Sequence, residues 1–185
     1  MSVRVRPRAP AFNPSSDAFS RALLDFGMQS ISFDAARAQL RTVLAEEGTR
    51  AALAYLNSLT SQRFTSLYRF DGELLSNVTF YDREAPEAES CDTIPVLASY
   101  CVFVRDTAAR FATSAALADR RLDGHPKQAQ VQSYCGVPLR DREGRMFGSV
   151  CHFDLGPGSV TELDVSLMEH LANLLQPGLR DVAAA

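Results

Sequence analysis

QVQSYCGVPLRDREGRMFGSVCHF, residues 130–153, is the stretch that decides the fold. It predicts two strands joined by a tight turn, because residues 141–144 are polar and end in Gly144. A glycine adopts the left-handed backbone conformation that closes such hairpins without a steric penalty. Apolar residues occupy both alternating sets of positions, so both faces of the hairpin are expected to be covered, as at the centre of a sheet.

Alternation divides the side chains of this hairpin between two faces, so that Tyr134 and Cys135 point in opposite directions. The face that carries Cys135 is predicted to hold Val131, Val137 and Leu139 as well. The second strand is predicted to place on one face Phe147, Cys151 and Phe153, and on the other Met146, Val150 and His152. Pro138 cannot donate a hydrogen bond to a neighbouring strand, so we expect a bulge over residues 136–138.

Charge and composition exclude several classes of function. The 185 residues include 19 basic and 22 acidic side chains, and a net charge of −3 is too small for a nucleic-acid surface. No apolar run approaches the length of a membrane span, and no apolar segment follows the N-terminal arginines. We therefore expect a cytoplasmic protein without a membrane partner, whose four cysteines, none in a CxxC pair, are free thiols.

The first third of the chain is predicted to be helical after a disordered start. Residues 1–16 contain three prolines and are expected to form a disordered arm, followed by a single domain over residues 17–180. Helical spacing of apolar residues predicts a short helix at 17–29 and a longer one, capped by Asp34, that continues to residue 58. Gly48 interrupts the second pattern, which is either two helices with a bend or one helix containing a costly glycine.

Strands dominate the rest of the chain. Residues 63–70 and 73–81 alternate and surround an Asp-Gly turn, which predicts a second hairpin. We expect a helix that begins at Pro95, a short strand at Phe111 and a closing helix capped by Thr161. The apolar stripe of the closing helix is predicted at Leu163, Leu167, Leu171 and Leu174, with Met168 and Leu175 alongside. Consecutive hairpins with helices at both ends of the chain predict an α+β fold around an antiparallel sheet.

Two segments resemble the GAF domain family. SYCGVPLRDREGRMFGSVCHFD, residues 133–154, is similar to the two C-terminal strands of that family, and SYCVFVRDTAARFATSAALADRRLDGHP, residues 99–126, to the helix, short strand and loop that cover its pocket in many bacterial members. The resemblance extends over roughly residues 36–176. It implies a central antiparallel sheet of about five to six strands, with helices packed on one face and a loop-covered ligand pocket on the other.

The resemblance also implies a sensory or regulatory function in signal transduction. GAF domains mostly bind small molecules or pair as dimers, and here the chain length leaves no room for a fused output domain. We therefore expect a stand-alone bacterial GAF module that binds an unidentified small organic ligand, without a cofactor, and acts on a signalling protein in trans. The terminal helices are expected to mediate a homodimer. The cyclic-nucleotide signature of some members is not recognisable.

Five residues are candidates for ligand binding. Arg121 and His125 lie in the segment that resembles the pocket lid, where they are suited to an anionic or heteroaromatic ligand. The alternative is that aspartates simply cap local turns and His125 faces solvent. Tyr134 or Cys135, whichever faces the pocket, and Cys101 complete the set.

Two other functions are weighed against ligand sensing. Some stand-alone GAF proteins resemble free methionine sulfoxide reductases, which need a thiolate and a second cysteine within reach, and here Cys91, Cys101 and Cys135 are the candidates. The glycine-rich segment associated with those enzymes is missing, so we expect no catalytic residue and no enzyme. The three histidines lack ligand spacing, so no metal site is predicted. The other alternative is a dimerisation or protein-interaction module without a ligand.

Overall fold

A computed structural model describes residues 32–88 and 92–175. These residues form an α+β fold around one six-stranded antiparallel sheet in the order β3-β2-β1-β6-β5-β4. The helices are α1 (Phe33–Glu47), α2 (Thr49–Ser58), α3 (Cys101–Thr107) and α4 (Glu162–Leu175). The strands are β1 (Phe64–Asp71), β2 (Leu74–Asp82), β3 (Thr93–Pro95), β4 (Phe111–Thr113), β5 (Ser133–Arg140) and β6 (Met146–Asp154). Short 3₁₀ turns occupy Val96–Ala98, Ala116–Ala118 and Arg120–Leu122.

Both predicted hairpins are present, and a glycine at φ +64° or +80° closes each one, Gly72 between β1 and β2 and Gly144 between β5 and β6. Gly48, at φ +88°, separates two helices, which decides between the two readings of that segment. Ser32 caps α1 in place of Asp34, because its hydroxyl accepts the backbone N–H of Ala35 at 3.2 Å. The predicted arm at 1–16, the helix at 17–29 and the end of the predicted domain at 180 lie outside the described residues.

The bulge in the central hairpin is not where Pro138 predicts it. Pairing is regular from Ser133 to Leu139, and the register shifts between Leu139 and Arg140, opposite Phe147. The proline is tolerated because β4 ends opposite Gly136, so β5 has an open edge beside Pro138. Because of this shift, the side chains of Met146 and Phe147 lie on the faces opposite to those predicted. Phe147 packs on the face of Val150, and Met146 packs on the face of Cys151.

The segment before α3 differs from the predicted helix. Pro95 ends the short strand β3, which pairs with β2 from Leu74 to Ser76, and the helix begins six residues later at Cys101. The pairing explains the difference, since residues 93–95 use their backbone hydrogen-bonding groups at a sheet edge rather than in a helix, and Pro95 contributes only its carbonyl. The edge strand β4 at Phe111–Thr113 is found as predicted.

One side of the sheet, here called the helix face, is covered by α1, α2 and α4. The capping box predicted for α4 is present, since Thr161 and Asp164 exchange hydrogen bonds of 2.7–3.1 Å. Its apolar stripe is rotated from the predicted one, because Leu163 is 46% exposed and Val165 is buried instead, whereas Met168 and Leu175 are buried beside the stripe as predicted. The core of this face includes Leu40, Leu53, Leu56, Leu67, Cys135, Val137, Leu139, Val150, Leu167 and Leu171.

The opposite side, here called the pocket face, is covered by α3 and by the irregular segments on either side of it. Its core is smaller and richer in aromatic and sulfur-containing side chains, and it includes Leu75, Val96, Tyr100, Cys101, Phe111, Leu122, Tyr134 and Cys151. Val131 packs on this face, and not with Cys135 as predicted, because it lies before the start of β5, where strand alternation does not apply. Among the residues described, every helix is too short or too polar to cross a lipid bilayer.

Candidate ligand-binding site

A cavity of about 250 Å³ lies on the pocket face. Strands β1, β5 and β6 form its floor, and residues 94–100 and 127–131 form its cover. Most of its lining is apolar or aromatic, from Phe64, Tyr68, Ile94, Ala98, Tyr100, Val131, Tyr134, Cys151, Phe153 and Leu155, with Ser99, Lys127 and Gln130 as the polar members. Such a concave apolar surface with a few polar groups is the usual form of a small-molecule site.

Aromatic rings set the shape of the cavity. Phe64 and Phe153, paired across β1 and β6, stack with their ring centroids 4.8 Å apart at an interplanar angle of 21°. Tyr100 and Tyr134 meet edge to face at 5.5 Å and 84°. The Tyr100 hydroxyl donates a 3.1 Å hydrogen bond to the carbonyl of Val131, which ties the two parts of the cover together. Ring surfaces of this kind favour a flat, unsaturated ligand that packs against them inside the cavity.

The polar groups of the cavity belong to its cover. Lys127 contributes an ammonium group, held by a 3.0 Å hydrogen bond from its Nζ to Oε1 of Gln130. Burial raises the pKa of Tyr68 far above its usual value and that of Tyr100 to about 12, so both phenols are neutral hydrogen-bonding groups at physiological pH. The cavity therefore combines neutral walls with one cation.

Cys151 of β6 lines the cavity, and Cys101, at the start of α3, is its neighbour outside the lining. The thiols of Cys101 and Cys151 share a hydrogen bond. The hydroxyls of Tyr134 and Ser149 reach Sγ of Cys101 at 3.3 Å and 3.4 Å. The bond from Cys151, followed by those from Ser149, Ser99 and Tyr134, lowers the pKa of Cys101 in spite of burial, whereas burial raises the pKa of Cys151.

His125 supports the cavity from behind and does not face solvent. Its ring packs 4.7 Å from the ring of Tyr100 and 5.7 Å from that of Phe103, and its Nδ1 accepts the backbone N–H of Lys127 at 3.1 Å. Desolvation by these neighbours lowers its pKa, which favours the neutral imidazole. His125 therefore positions Tyr100 and Lys127, one layer away from the cavity lining.

Arg121 lies at a different place, beside the edge strand β4. Its guanidinium binds the carboxylate of Asp119, donates to the carbonyl of Ala112 at 2.7 Å and covers the ring of Phe111 at 4.6 Å. The hydrogen bond from Arg121 is the main reason why the pKa of Asp119 is lowered to about 2. Asp119 also caps the local turn through the N–H of Arg121, as the alternative reading of this loop expected.

Cys135 points away from the cavity into the core of the helix face. Burial there raises the pKa of its thiol to about 12. The structure thus brings together Tyr134 and Cys101, places His125 behind them, and separates Arg121 and Cys135 from them. Of the two neighbours that alternation assigned to opposite faces, Tyr134 is the one on the pocket side.

Several lining residues were not among the candidates from sequence. Phe64 and Tyr68 of β1 face the cavity together with Phe153 of β6. The alternation of aromatic residues in β1 was a usable signal, because it places Phe64 and Tyr68 on one face of a strand. Lys127 carried no comparable signal, since its position depends on how residues 127–131 fold over the sheet. Among the described residues, no cluster of three or more His, Cys, Asp or Glu side chains is arranged to hold a metal ion.

Several known proteins are similar to this chain in sequence or in fold. A cyclic di-GMP phosphodiesterase from Pseudomonas aeruginosa is 32% identical over 81 residues, which are 42% of this chain and 14% of that protein. The GAF domain of a phosphoenolpyruvate-protein phosphotransferase from Acinetobacter superposes with a TM-score of 0.68 at 14% identity, over 85% of this chain and 98% of that one. A free methionine-R-sulfoxide reductase from Neisseria meningitidis, solved with its substrate, gives 0.61 at 20% identity, over 78% and 86%.

At these identities the solved structures establish the fold alone. The assignment rests on the family model for the GAF domain, which matches residues 34–176 and therefore both covering layers of the sheet. The chain belongs to the GAF domain family.

Proposed function

We propose that this protein is a sensory or regulatory GAF module that binds a small planar organic acid in the cavity of the pocket face. The observation that carries the proposal is the cavity itself, with stacked rings on its walls and a single ammonium group in its cover. Its volume of about 250 Å³ is slightly below the ~300–1,000 Å³ of typical small-molecule sites, which favours a ligand smaller than a drug-sized molecule.

The chemistry of the lining selects the ligand class. Phe64, Phe153 and Tyr134 offer ring faces and edges, which suit an aromatic or heteroaromatic ring. Lys127 offers a charge-assisted hydrogen bond to a carboxylate at the mouth. Among the described residues, no carboxylate side chain lines the cavity, so a cationic ligand would lack a partner there.

Thermal unfolding in the presence of a panel of planar aromatic carboxylates, with the matching neutral amides beside them, tests the proposal. A ligand that binds the folded state raises Tm with its concentration. We expect the carboxylates to stabilise the protein and the amides to do so less. Native mass spectrometry of protein purified without added ligand identifies any molecule that is carried through.

Two variants locate the binding site. Ala98→Phe fills the mouth of the cavity and is expected to abolish the shift, whereas Ala118→Phe, exposed on a 3₁₀ turn outside the cavity, is the matched control. Lys127→Gln is expected to weaken carboxylate binding by about tenfold, the value of a typical charge-assisted bond. Its control, Arg142→Gln, removes one charge at the exposed hairpin turn. Equal shifts in Ala98→Phe and wild type would contradict the proposal.

The reductase hypothesis has less support in this geometry. Its thiols must approach one another, and Cys101 and Cys135 lie on opposite faces of the sheet. Cys91 lies outside the described residues. An assay with free methionine sulfoxide and dithiothreitol decides the matter, and we expect no turnover above a thiol-only background. Sustained turnover that is lost in Cys101→Ser would overturn the regulatory proposal.

Dimerisation through the terminal helices and action on a separate signalling protein complete the proposal. Half of α1 is exposed on its outer side, and Leu163 of α4 is exposed as well. Light scattering during size exclusion at micromolar concentration tests the dimer. A monomer mass across that range would contradict it and leave the ligand proposal intact.

A further inference from the structure

The thiols of Cys101 and Cys151 are arranged for chemistry that ligand binding does not need. Cys151 lies in the middle of β6, and Cys101 is the first residue of α3, which packs over that strand. Both are fully buried, and their thiols share a hydrogen bond. Cys135 has the same residue type in the neighbouring strand but lies alone on the helix face. Because a disulfide needs two neighbouring thiols, this pair meets a requirement that Cys135 does not.

The hydrogen bonds around this pair are unequal. The hydroxyls of Tyr134 and Ser149 lie 3.3 Å and 3.4 Å from Sγ of Cys101, and the side chain of Ser99 also bonds to it. Tyr134 is buried beside Gly136, where a Cβ atom would overlap the Tyr134 hydroxyl. The missing side chain therefore leaves room for the phenol to reach Cys101. Donors that converge on one sulfur favour its thiolate, which is the nucleophilic form.

The cavity gives this buried pair a route to solvent. Cys151 forms part of the cavity lining, and in the cover Lys127 is partly exposed and Gln130 is exposed. A small hydroperoxide fits a volume of about 250 Å³, whereas a protein thiol or a bulky alkylating reagent does not. Access is thus restricted by size rather than absent.

We propose that Cys101 and Cys151 are a redox-active pair, in which a hydroperoxide that enters the cavity oxidises Cys101 and Cys151 then closes an intramolecular disulfide. The inference rests on the contact between the thiols and on the cavity, and it does not require the organic acid proposed above. It assigns a modification site to the floor of the cavity.

The chemistry balances in two steps. The Cys101 thiolate attacks one oxygen of the hydroperoxide, the O–O bond breaks, and the departing alkoxide takes up a proton and leaves as an alcohol. Cys101 is then a sulfenic acid. The Cys151 thiol attacks its sulfur, an S–S bond forms, and the hydroxyl leaves with the Cys151 proton as water. Two thiols are oxidised by two electrons in total, and one hydroperoxide is reduced to an alcohol and water.

The test treats folded protein with tert-butyl hydroperoxide under argon, in a Cys91→Ser background so that the thiols under study are the three described ones. Remaining thiols are alkylated after denaturation, and the peptides are mapped by mass spectrometry. We expect loss of two thiols and a cross-linked peptide that contains Cys101 and Cys151. Cys135→Ser is the matched control and is expected to cross-link at the same rate.

Three further variants separate the steps. Cys151→Ser is expected to stop at a sulfenic acid on Cys101, which dimedone traps. Tyr134→Phe keeps the ring, removes one donor to Cys101 and is expected to slow oxidation by about threefold or more. Ala98→Phe narrows the mouth and is expected to slow it by about tenfold or more, while Ala118→Phe leaves it unchanged.

Peptide mapping of the protein that carries only Cys91→Ser decides the proposal even if one of the other variants fails to fold. A cross-link between Cys101 and Cys151 formed in folded protein supports it. Absence of that cross-link, or oxidation of Cys135 as fast as that of Cys101, would overturn it. Reduction with dithiothreitol is expected to restore both thiols.

Discussion

On the helix face of the sheet, the side chains of Leu53, Leu67 and Leu171 are fully buried among three helices. On the pocket face, mostly apolar and aromatic side chains surround a cavity of about 250 Å³, and Leu155 in its lining is 53% exposed. One sheet thus has a filled side and a hollow side. Because stability depends on apolar area removed from water, the filled side supplies most of it and leaves the hollow side available for function.

The buried polar groups of the two faces also differ in their roles. On the helix face, Asn57 donates to Thr65 at 2.8 Å, the Thr65 hydroxyl bonds to Nδ1 of His152 at 2.7 Å, and Arg83 donates to Asn57 at 3.1 Å. This network joins α2 to the sheet and holds Asn57, Thr65 and His152 in fixed positions. On the pocket face, the buried polar cluster around Cys101 surrounds the thiols of the proposed redox pair. The first arrangement specifies the fold, and the second carries chemistry.

The largest expected contrast comes from the same substitution on each side. Leu53→Ala on the helix face is expected to lower the free energy of unfolding by about 2–5 kcal/mol, because a cavity opens in a packed core. Leu155→Ala at the cavity edge is expected to cost about 0.5 kcal/mol or less, since the side chain is already half exposed. Urea unfolding of both variants measures the difference. Equal losses would mean that the pocket face is packed as tightly as the helix face.

Acid tests the buried network of the helix face. Burial lowers the pKa of His152 from 6.5 to about 4 in the folded state, so the unfolded chain binds a proton that the folded one does not. The stability associated with this histidine is complete above about pH 6.5 and is lost as the pH falls toward 4, by about 3 kcal/mol in total. Unfolding free energies measured across this range give the slope.

His152→Asn is expected to flatten that slope, because an amide near the Nδ1 position keeps a partner for Thr65 without titrating. His170→Asn is the matched control, since His170 is half-buried on α4 and carries a weaker share of the effect. A slope that is the same in His152→Asn and wild type would contradict the assignment.

The smallest expected contrast concerns the backbone that both faces share. A Cβ atom at Gly148 of β6 would overlap the carbonyl oxygen of Tyr68 in β1, so Gly148→Ala is expected to push the strands apart and cost about 1–3 kcal/mol. At Gly156 the nearest atom to an added Cβ is 4.0 Å away, and Gly156→Ala is expected to be close to neutral. Thermal unfolding of the pair checks this, and a neutral Gly148→Ala would show that β1 and β6 can separate freely.

Much of the fold followed from local signals. Gly72 and Gly144 marked both hairpins, and Gly48 marked the break between helices, because each needs a positive φ. Alternation correctly separated Tyr134 from Cys135 in the regular part of β5. It failed at Met146 and Phe147, where a register shift that no residue type announces inverts the order of faces.

The site was less predictable, because it depends on which face the helices cover. The alternating pattern placed Tyr134 and Cys135 on opposite faces but did not indicate which face holds the pocket. That depends on tertiary packing. The lid residues show the same limit. Arg121 and His125 are four positions apart, yet one binds Asp119 beside the edge strand and the other packs behind Tyr100. No periodicity relates residues in such irregular segments.

The isolation of Cys135 on the filled side has a consequence for the dynamics of the molecule. Its thiol meets solvent only when the packed layer of α1, α2 and α4 opens, which is close to global unfolding. The thiol of Cys151, with Cys101 beside it, lies at the cavity, and its exposure needs at most an opening of the cover, which we expect to be a smaller and more frequent fluctuation. Cysteines in one chain are therefore expected to be modified at two different rates. Opening of the cover sets the rate for the pocket face, and unfolding of the native state sets the rate for Cys135.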